Sequence, residues 1–511
     1  MFRRATISCL YSTHAHVLTP TITSHMMLAQ KSNPSAPMTV SATSTPGTSI
    51  FDLEQTTNIE PAIQAPHCSL PTWRKYLVLA TVSWMALVAS YSTTSLLPAT
   101  PEIGAEFHTT VPILNITNSG FLLCMGFSSF ITGPLVEVLG RRKAYNAALA
   151  IFLGCSVGTA LAPNLGVFVG MRTLSAFEGT LFMVVGQTIL ADIFEPTLRG
   201  RAVGCFLAAT VSGPAIGPII GGIIVTYTTW RTIYWVQVGM IAAGLIASLL
   251  FVPDIRPTSK HLSATDNEKS HPSSIQDIRS LFNPLKLLQP LVYPNVLLAD
   301  IACGLLSTLQ YGLLSSIREI INPRFDLTTP LISGLFYIAP GAGFLLGSII
   351  GGQFSDHTVQ KYMLKRKGVR LPQDRLNSGL LAMILVVPGA ALTFGWTLQK
   401  EVGGMAVPVI MSFVAGAGLM GSFNGLNTYT AEVLPYKRSE AISGKYVIQY
   451  MFGAASTASI VPLITTIGVG VAFTILACLV VMAGLIVLLI AKRGLDMQVW
   501  VESYLGKEED R

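Results

Sequence analysis

Apolar runs of about 20 residues recur along most of this chain, and their length sets the first expectation about its fold. From residue 76 onward twelve of them follow one another, at 76–98, 113–136, 144–162, 166–192, 201–226, 231–252, 291–316, 329–354, 377–397, 405–432, 441–466 and 468–491. Backbone groups in hydrocarbon must find their hydrogen bonds within the segment, so the runs are predicted as helices despite their many Gly, Pro and β-branched residues. The fold class expected is an all-α membrane protein, twelve transmembrane helices in two six-helix halves. The longest polar connection, 253–290, divides the N-terminal half (76–252) from the C-terminal half (291–491) and reads as a cytoplasmic linker, with 492–511 a C-terminal tail.

Upstream of the first run the pattern disappears. Residues 1–71 are rich in Ser, Thr and Pro with few aromatics, too little apolar surface to fold alone, and read as a disordered tail. The opening MFRRATISCLYSTHAHVL lacks acids and carries two arginines, a pattern shared by mitochondrial presequences and ordinary tails, and Met26 or Met27 is an alternative start.

Composition and charge sharpen this picture. The chain has 511 residues, 51% hydrophobic and only 12% charged. Soluble proteins carry about 25% charged residues, so a water-facing globular surface is excluded. The net charge of +7 matters through its placement. Loops on one side hold Arg141, Arg142 and Lys143; Arg199 and Arg201; Arg256, Lys260, Lys269, Arg279 and Lys286; Lys361, Lys365, Arg366, Lys367, Arg370 and Arg375; and Lys437, Arg438 and Lys445. The other side has Arg231, Arg318, Arg324 and Lys400. The positive-inside rule then places both termini in the cytoplasm. No nucleic-acid partner is needed to account for the charge, and Arg172 is left as the cation inside a span. The seven cysteines are scattered, with no disulfide or metal spacing.

The two halves echo each other. Gly133-Pro-Leu-Val-Glu137 closes the second run before a basic loop, and Gly352-Gln-Phe-Ser-Asp356 closes the eighth in the same way. Ala191-Asp192 ends the fourth run and Ala431-Glu432 the tenth, each before a short basic loop and a glycine, Gly204 or Gly444. A six-plus-six repeat of this kind marks transporters whose halves rock about a central site.

These residues resemble the major facilitator superfamily, and within it the fungal twelve-span drug:proton antiporters. Gly133-Pro-Leu-Val-Glu137-Val-Leu-Gly140-Arg141-Arg142-Lys143 is similar to the superfamily's signature loop G-x-L-x-D-R-x-G-R-[KR], with Glu137 as its acid and Val138 where a basic residue is usual. Arg172, Gly179, Gly186, Asp192 and Arg199-Gly200-Arg201 resemble the fourth-span motif. Gly213-Pro214-Ala-Ile-Gly217-Pro218-Ile-Ile-Gly221-Gly222 resembles the antiporter motif that separates exporters from importers, and Trp230-Arg231 fits too. Ser83-Trp-Met-Ala-Leu-Val, Ser95-Leu-Leu-Pro-Ala and Leu190-Ala-Asp-Ile-Phe-Glu-Pro196 resemble exporters linked to fungal metabolite clusters, including itaconate-type carriers. The resemblance implies a proton-coupled exporter of a secondary metabolite, organic acid or drug. It would be driven by the proton gradient without a cofactor, as a monomer in the plasma membrane or, alternatively, in an intracellular one.

Several residue groups carry that chemistry. Gly133 and Gly140 are expected to turn the chain tightly, while Glu137, Arg141, Arg142 and Asp192, with Asp356 and Glu432 in the other half, form gate latches. The plainer reading of the cations is topological anchoring, which requires no acid; Arg366 and its neighbours are read as such anchors. The motif Gly213, Pro214, Gly217, Pro218, Gly221 and Gly222 offers small residues for close helix contact and two prolines that bend the helix. Ionisable residues within spans are expensive and functional by default. Arg172 is assigned to proton coupling or to holding an anionic substrate, against snorkelling to the interface, with a groove of small residues continuing along Gly179, Met183 and Gly186. Glu178 is either a proton or substrate group or a partner for a neighbouring helix, and Asp300 either a second coupling carboxylate or an interfacial residue. Tyr91, Gln187, Gln310, Tyr311, Tyr337, Asn424, Asn427, Gln449 and Tyr450 are the neutral substrate-binding candidates, each equally suited to helix–helix hydrogen bonding. A nutrient sensor that keeps the fold but moves nothing is the alternative. No nucleophile–base pair, metal cluster or phosphate loop points to an enzyme.

Overall fold

The computed structural model describes residues 71–194, 196–253, 288–325, 334–368, 371–434 and 437–509; the expected N-terminal tail to residue 70 and the linker from 254 to 287 lie outside these. The described residues are helical, with no strand among them. In the first half run α1 (Thr72–Thr94), α2 (Val111–Phe127, carried on by Ser129–Leu139), α3 (Arg141–Ala160), α4 (Leu165–Ala176 and Gly179–Ile193), α5 (Pro196–Tyr227) and α6 (Arg231–Phe251). In the second run α7 (Pro294–Arg324), α8 (Ile338–Lys365), α9 (Leu376–Leu381, a wide turn Ala382–Val386, then Val387–Gln399), α10 (Ala406–Val433), α11 (Arg438–Ile467) and α12 (Val469–Glu509). Among the described residues all of these but α3 are long and apolar enough to cross a membrane by length and composition alone, eleven candidate spans. α3 begins with Arg141-Arg142-Lys143, and these cations lower its apolar average without shortening the helix. α12 continues as helix through the stretch expected as a tail.

Two local features are set by glycine. Gly140 (φ +80°) joins α2 to α3 and Gly468 (φ +87°) joins α11 to α12, in backbone conformations that a Cβ would strain. Gly133 makes no turn, contrary to expectation. It lies inside the helix Ser129–Leu139 with open space where a side chain would stand, and the chain reverses only at Gly140. α4 is interrupted at Phe177–Glu178, between its two helical pieces.

Each half buries its own apolar core. Val82, Leu149, Phe182, Leu190 and Ile241 pack together in the first half, and Leu306, Phe344, Phe394, Leu419 and Val480 in the second. A belt of exposed apolar side chains, including Ile151, Ile246, Leu250, Ile350, Leu385 and Leu489, surrounds the bundle. Such a surface suits hydrocarbon and would be an aggregation hazard in water.

The halves meet along two seams. On one, α2 and α4 contribute Phe121, Met125 and Met183 to a shared cluster with Tyr446, Tyr450 and Ala454 of α11. There Ser119 Oγ donates to the Ala454 carbonyl at 2.7 Å. On the other, α5 meets α8 so closely that a Cβ at Gly341 would lie 2.8 Å from the Ala215 Cβ, and one at Gly334 would lie 3.1 Å from Gly222 Cα. These α5–α8 contacts fall at the ends of the helices remote from the basic loops. At that end the halves are in contact.

Candidate functional site

Between the halves lies a cavity offering about 740 Å³ of space, counting that at its open mouth. Both halves build it: Ser90, Thr93, Met183, Thr210 and Pro214 from the first, and Gln310, Tyr311, Phe344, Phe423 and Tyr450 among others from the second. Leu207 and Asn424 also line an adjoining space bounded by Ser355, Asp356, Arg375 and Glu432, so the cavity leads toward the basic-loop end of the bundle. Apolar and aromatic walls with a few convergent amides are the usual make-up of a small-molecule site.

Six of the nine neutral binding candidates line this cavity: Gln310, Tyr311, Asn424, Asn427, Gln449 and Tyr450. Three do not. Tyr91 is buried in a cluster of its own half with Phe168 and Trp230. Tyr337 is buried and donates its hydroxyl to the Leu314 carbonyl at 2.9 Å. Gln187 is half-buried on α4 away from the lining.

Lys445 was expected in a basic loop, and here the structure corrects the reading. The residue lies on the second turn of α11, is only 3% exposed, and lines the cavity. Its ammonium donates to Asn427 Oδ1 at 2.8 Å and sits 3.9 Å from the centroid of the Tyr446 ring. Arg172 is therefore not alone as a cation within a span. The signal was present in the sequence, because Lys445 falls four residues inside the apolar run 441–466.

Arg172 is 1% exposed and faces the interior of the first half, outside the cavity lining. Nη1 donates to Tyr234 Oη at 2.8 Å, and Nη2 to Asn118 Oδ1 at 3.0 Å and to the Ser92 carbonyl at 3.3 Å. The guanidinium also lies 4.6 Å from the Phe121 ring centroid. Its acceptors are thus neutral groups on three other helices. The expected groove beside it is filled: a Cβ at Gly179 would strike Met125, and one at Gly186 would strike Phe206. Met183 instead reaches the cavity and accepts from Tyr450 Oη at 3.6 Å.

Glu178 stands at the break in α4, 8% exposed. Asp300, on α7, is fully buried at 0% exposed, and among the described residues neither carboxylate oxygen has a hydrogen-bond partner. A buried carboxylate at a span interior without a donor is costly, which makes both residues functional candidates on energetic grounds.

At the basic-loop end the charged residues assemble within each half. Arg141 pairs with Asp192 and also donates to the Thr188 carbonyl at 3.4 Å. Arg142 donates to the Leu249 carbonyl at 2.8 Å. The Glu137 side chain lies outside the described residues. In the second half Arg375 joins the two acids singled out there, pairing with Asp356 at 2.7 Å and with Glu432 at 3.5 Å. Arg366, read as an anchor, has a defined partner in Asp374, whose carboxylate is buried, at 2.7 Å. Arg375→Ala removes the cation that Asp356 and Glu432 share. Partly exposed pairs contribute about 1 kcal/mol or less. A small drop in the thermal unfolding midpoint of the purified protein is expected, with part of the loss restored by adding Asp356→Asn.

The antiporter-motif residues divide between two faces of α5. Gly213, Gly217 and Gly221 press on α1, where a Cβ at Gly217 would lie 2.7 Å from Thr94 Oγ1 and 3.1 Å from the Tyr91 carbonyl oxygen. Pro214 faces the cavity, while Pro218 and Gly222 meet Gly334 of the other half.

A family model described as the Major Facilitator Superfamily matches residues 82–458. The chain is 23% identical to the MFS antiporter QDR3 of Candida albicans, over 83% of this chain and 78% of that protein. It is 25% identical to the efflux pump radE of Floropilus chiversii, over 81% of this chain and 78% of that protein. Among solved structures, a partially occluded inward-open conformation of the xylose transporter XylE from E. coli superposes with a TM-score of 0.60 at 14% identity, covering 81% of this chain and 97% of that one.

Proposed function

The chain belongs to the Major Facilitator Superfamily, and on that premise we propose that it is a proton-coupled exporter of a small organic molecule. The observation that carries this reading is the cavity built by both halves, leading to the basic-loop end and bounded by packed helices at the other. Alternating access needs such a space, reached from one side at a time. The positive-inside rule supports a cytoplasmic position for the basic loops, so that substrate enters from within the cell. Export is supported by the small-residue motif on α5 and by relatives named as an antiporter and an efflux pump. Proton coupling is supported by two carboxylates within spans, Glu178 and Asp300, with Arg172 held beside α1, α2 and α6. The substrate is a secondary metabolite, an organic acid or a drug, the protein a monomer, and the membrane the plasma membrane.

Deleting the gene should lower one or more extracellular metabolites. Adding that metabolite to proteoliposomes holding the purified full-length chain under an imposed pH gradient should then dissipate the gradient. A folded protein that moves neither protons nor metabolite under these conditions overturns the exporter reading.

A further inference from the structure

The central cavity carries one charge. Among its lining residues Lys445 is the single cation, and none of them is an acid. The ammonium has three N–H donors, yet among the described residues it makes one hydrogen bond, to Asn427, and one ring contact, to Tyr446. An ammonium taken out of water is costly unless an opposite charge and hydrogen bonds compensate it. Asp300 interacts electrostatically with Lys445, but among the described residues its carboxylate makes no hydrogen bond with Lys445 or with any other group. Donor capacity is therefore left over on the cavity side, and positive charge as well whenever Asp300 holds a proton.

We propose that Lys445 receives the anionic head group of the transported molecule, an amphipathic organic anion of the carboxylate class. The unsatisfied N–H groups would bond the carboxylate oxygens, a charge-assisted contact stronger than any the neutral lining can offer. Tyr311, Phe344, Phe423, Tyr446 and Tyr450 would take the apolar body of the ligand. Asn424 and Gln449 remain for its polar substituents. Arg172 has no part in this recognition, since its guanidinium is committed to Tyr234, Asn118 and Ser92 outside the lining.

This assignment rests on the carrier reading and divides its two carboxylates. Ionised Asp300 competes with a bound anion for Lys445, so a proton on Asp300 and a substrate anion help one another to bind. By the reciprocity of coupled equilibria each raises the affinity for the other. Net exchange of a proton for the anion then requires that Asp300 keep its proton on the return, leaving the exchanged proton to Glu178.

The test uses full-length protein in lipid nanodiscs at neutral pH, with benzoate, cinnamate, 2-naphthoate and indole-3-acetate set beside their uncharged amides. At least one acid should bind and stabilise the wild type, with its amide about tenfold or more weaker. Lys445→Arg should keep the acid's affinity within about threefold, and Lys445→Gln should lose about tenfold. Asp300→Asn should tighten it severalfold. The proposal is overturned if no acid binds, if acid and amide bind alike, or if Lys445→Gln keeps full affinity. The acid–amide comparison in the wild type decides the matter even where Lys445→Gln does not fold. Unchanged or weaker binding in Asp300→Asn removes the division of the carboxylates. Lys445-dependent binding without flux under a pH gradient would defeat the carrier reading alone. Flux of neutral or cationic compounds without binding of any acid would defeat the present one alone.

Discussion

Gly217→Val should abolish most of the folded protein. α5 lies against α1 so closely that a Cβ at this position would meet Thr94 Oγ1 at 2.7 Å, with the Ser95 nitrogen and the Tyr91 carbonyl oxygen both at 3.1 Å. Two of those three atoms are backbone, so no rotamer change relieves the contact, and the helices must separate. Overpacking a well-packed site costs about 1–3 kcal/mol, and more where backbone must move. The damage would spread, because Gly213 and Gly221 meet α1 one turn away on either side, at Tyr91 and Ser95. Gly204, on the same helix, has nothing within 4 Å of its would-be Cβ. Gly204→Ala should therefore be neutral or stabilising by about 0.5–1 kcal/mol through helix propensity. Monodisperse yield on size exclusion and the thermal midpoint of the two variants, side by side, check this. Equal yield and midpoint for Gly217→Val and wild type would show that the motif does not act by packing on α1. Gly341→Val should behave differently from both. Its contact is with Ala215 across the seam between the halves, so the protein should fold but favour a state in which that end is open.

The helices were legible in the sequence because hydrocarbon allows few alternatives: a run of about 20 apolar residues has no other way to satisfy its backbone. The acids at the ends of the fourth, eighth and tenth runs were legible as well, since a carboxylate there needs a cation. Asp192 found Arg141, while Asp356 and Glu432 share Arg375, which had been read only as a loop charge. What stayed hidden was direction around each helix. In a bundle within a membrane every face is apolar, so periodicity does not separate cavity from core. Tyr91 and Tyr337 turned into the packing of their own halves, while Tyr311 and Tyr450 turned to the cavity. The break in α4 was equally hidden, because its one local sign, Gly179 just after Phe177–Glu178, is matched by many glycines inside unbroken spans. Lys445 was misplaced for another reason. Its nearness in sequence to Lys437 and Arg438 suggested a loop, but two helical turns carry it from the membrane face into the bundle.

Arg172→Ala should reduce flux about a hundredfold, the equivalent of roughly 3 kcal/mol at 25 °C, with the loss lying in transport. The guanidinium ties α4 to α1 through the Ser92 carbonyl, to α2 through Asn118 and the Phe121 ring, and to α6 through Tyr234. Each bond involves a charged donor and contributes about 1.5–3 kcal/mol. These partners are neutral, and among the described residues no acid pairs with the guanidinium. A structural strut alone could be built from amides at lower desolvation cost. An uncompensated cation on the same helix as Glu178, the proposed proton carrier, instead biases where the proton resides through the cycle, whether or not the two touch. Three substitutions separate these roles. Tyr234→Phe removes one acceptor and keeps the charge, and should cost only a few-fold in flux. Arg172→Lys keeps the charge but loses the fork, and should retain measurable coupling. Arg172→Gln keeps some hydrogen bonding without the charge, and should resemble Arg172→Ala in proton-coupled flux while approaching wild-type abundance at the membrane. Full flux in Arg172→Ala at normal abundance would take Arg172 out of the coupling machinery altogether. Full flux in Arg172→Gln would leave it as a strut.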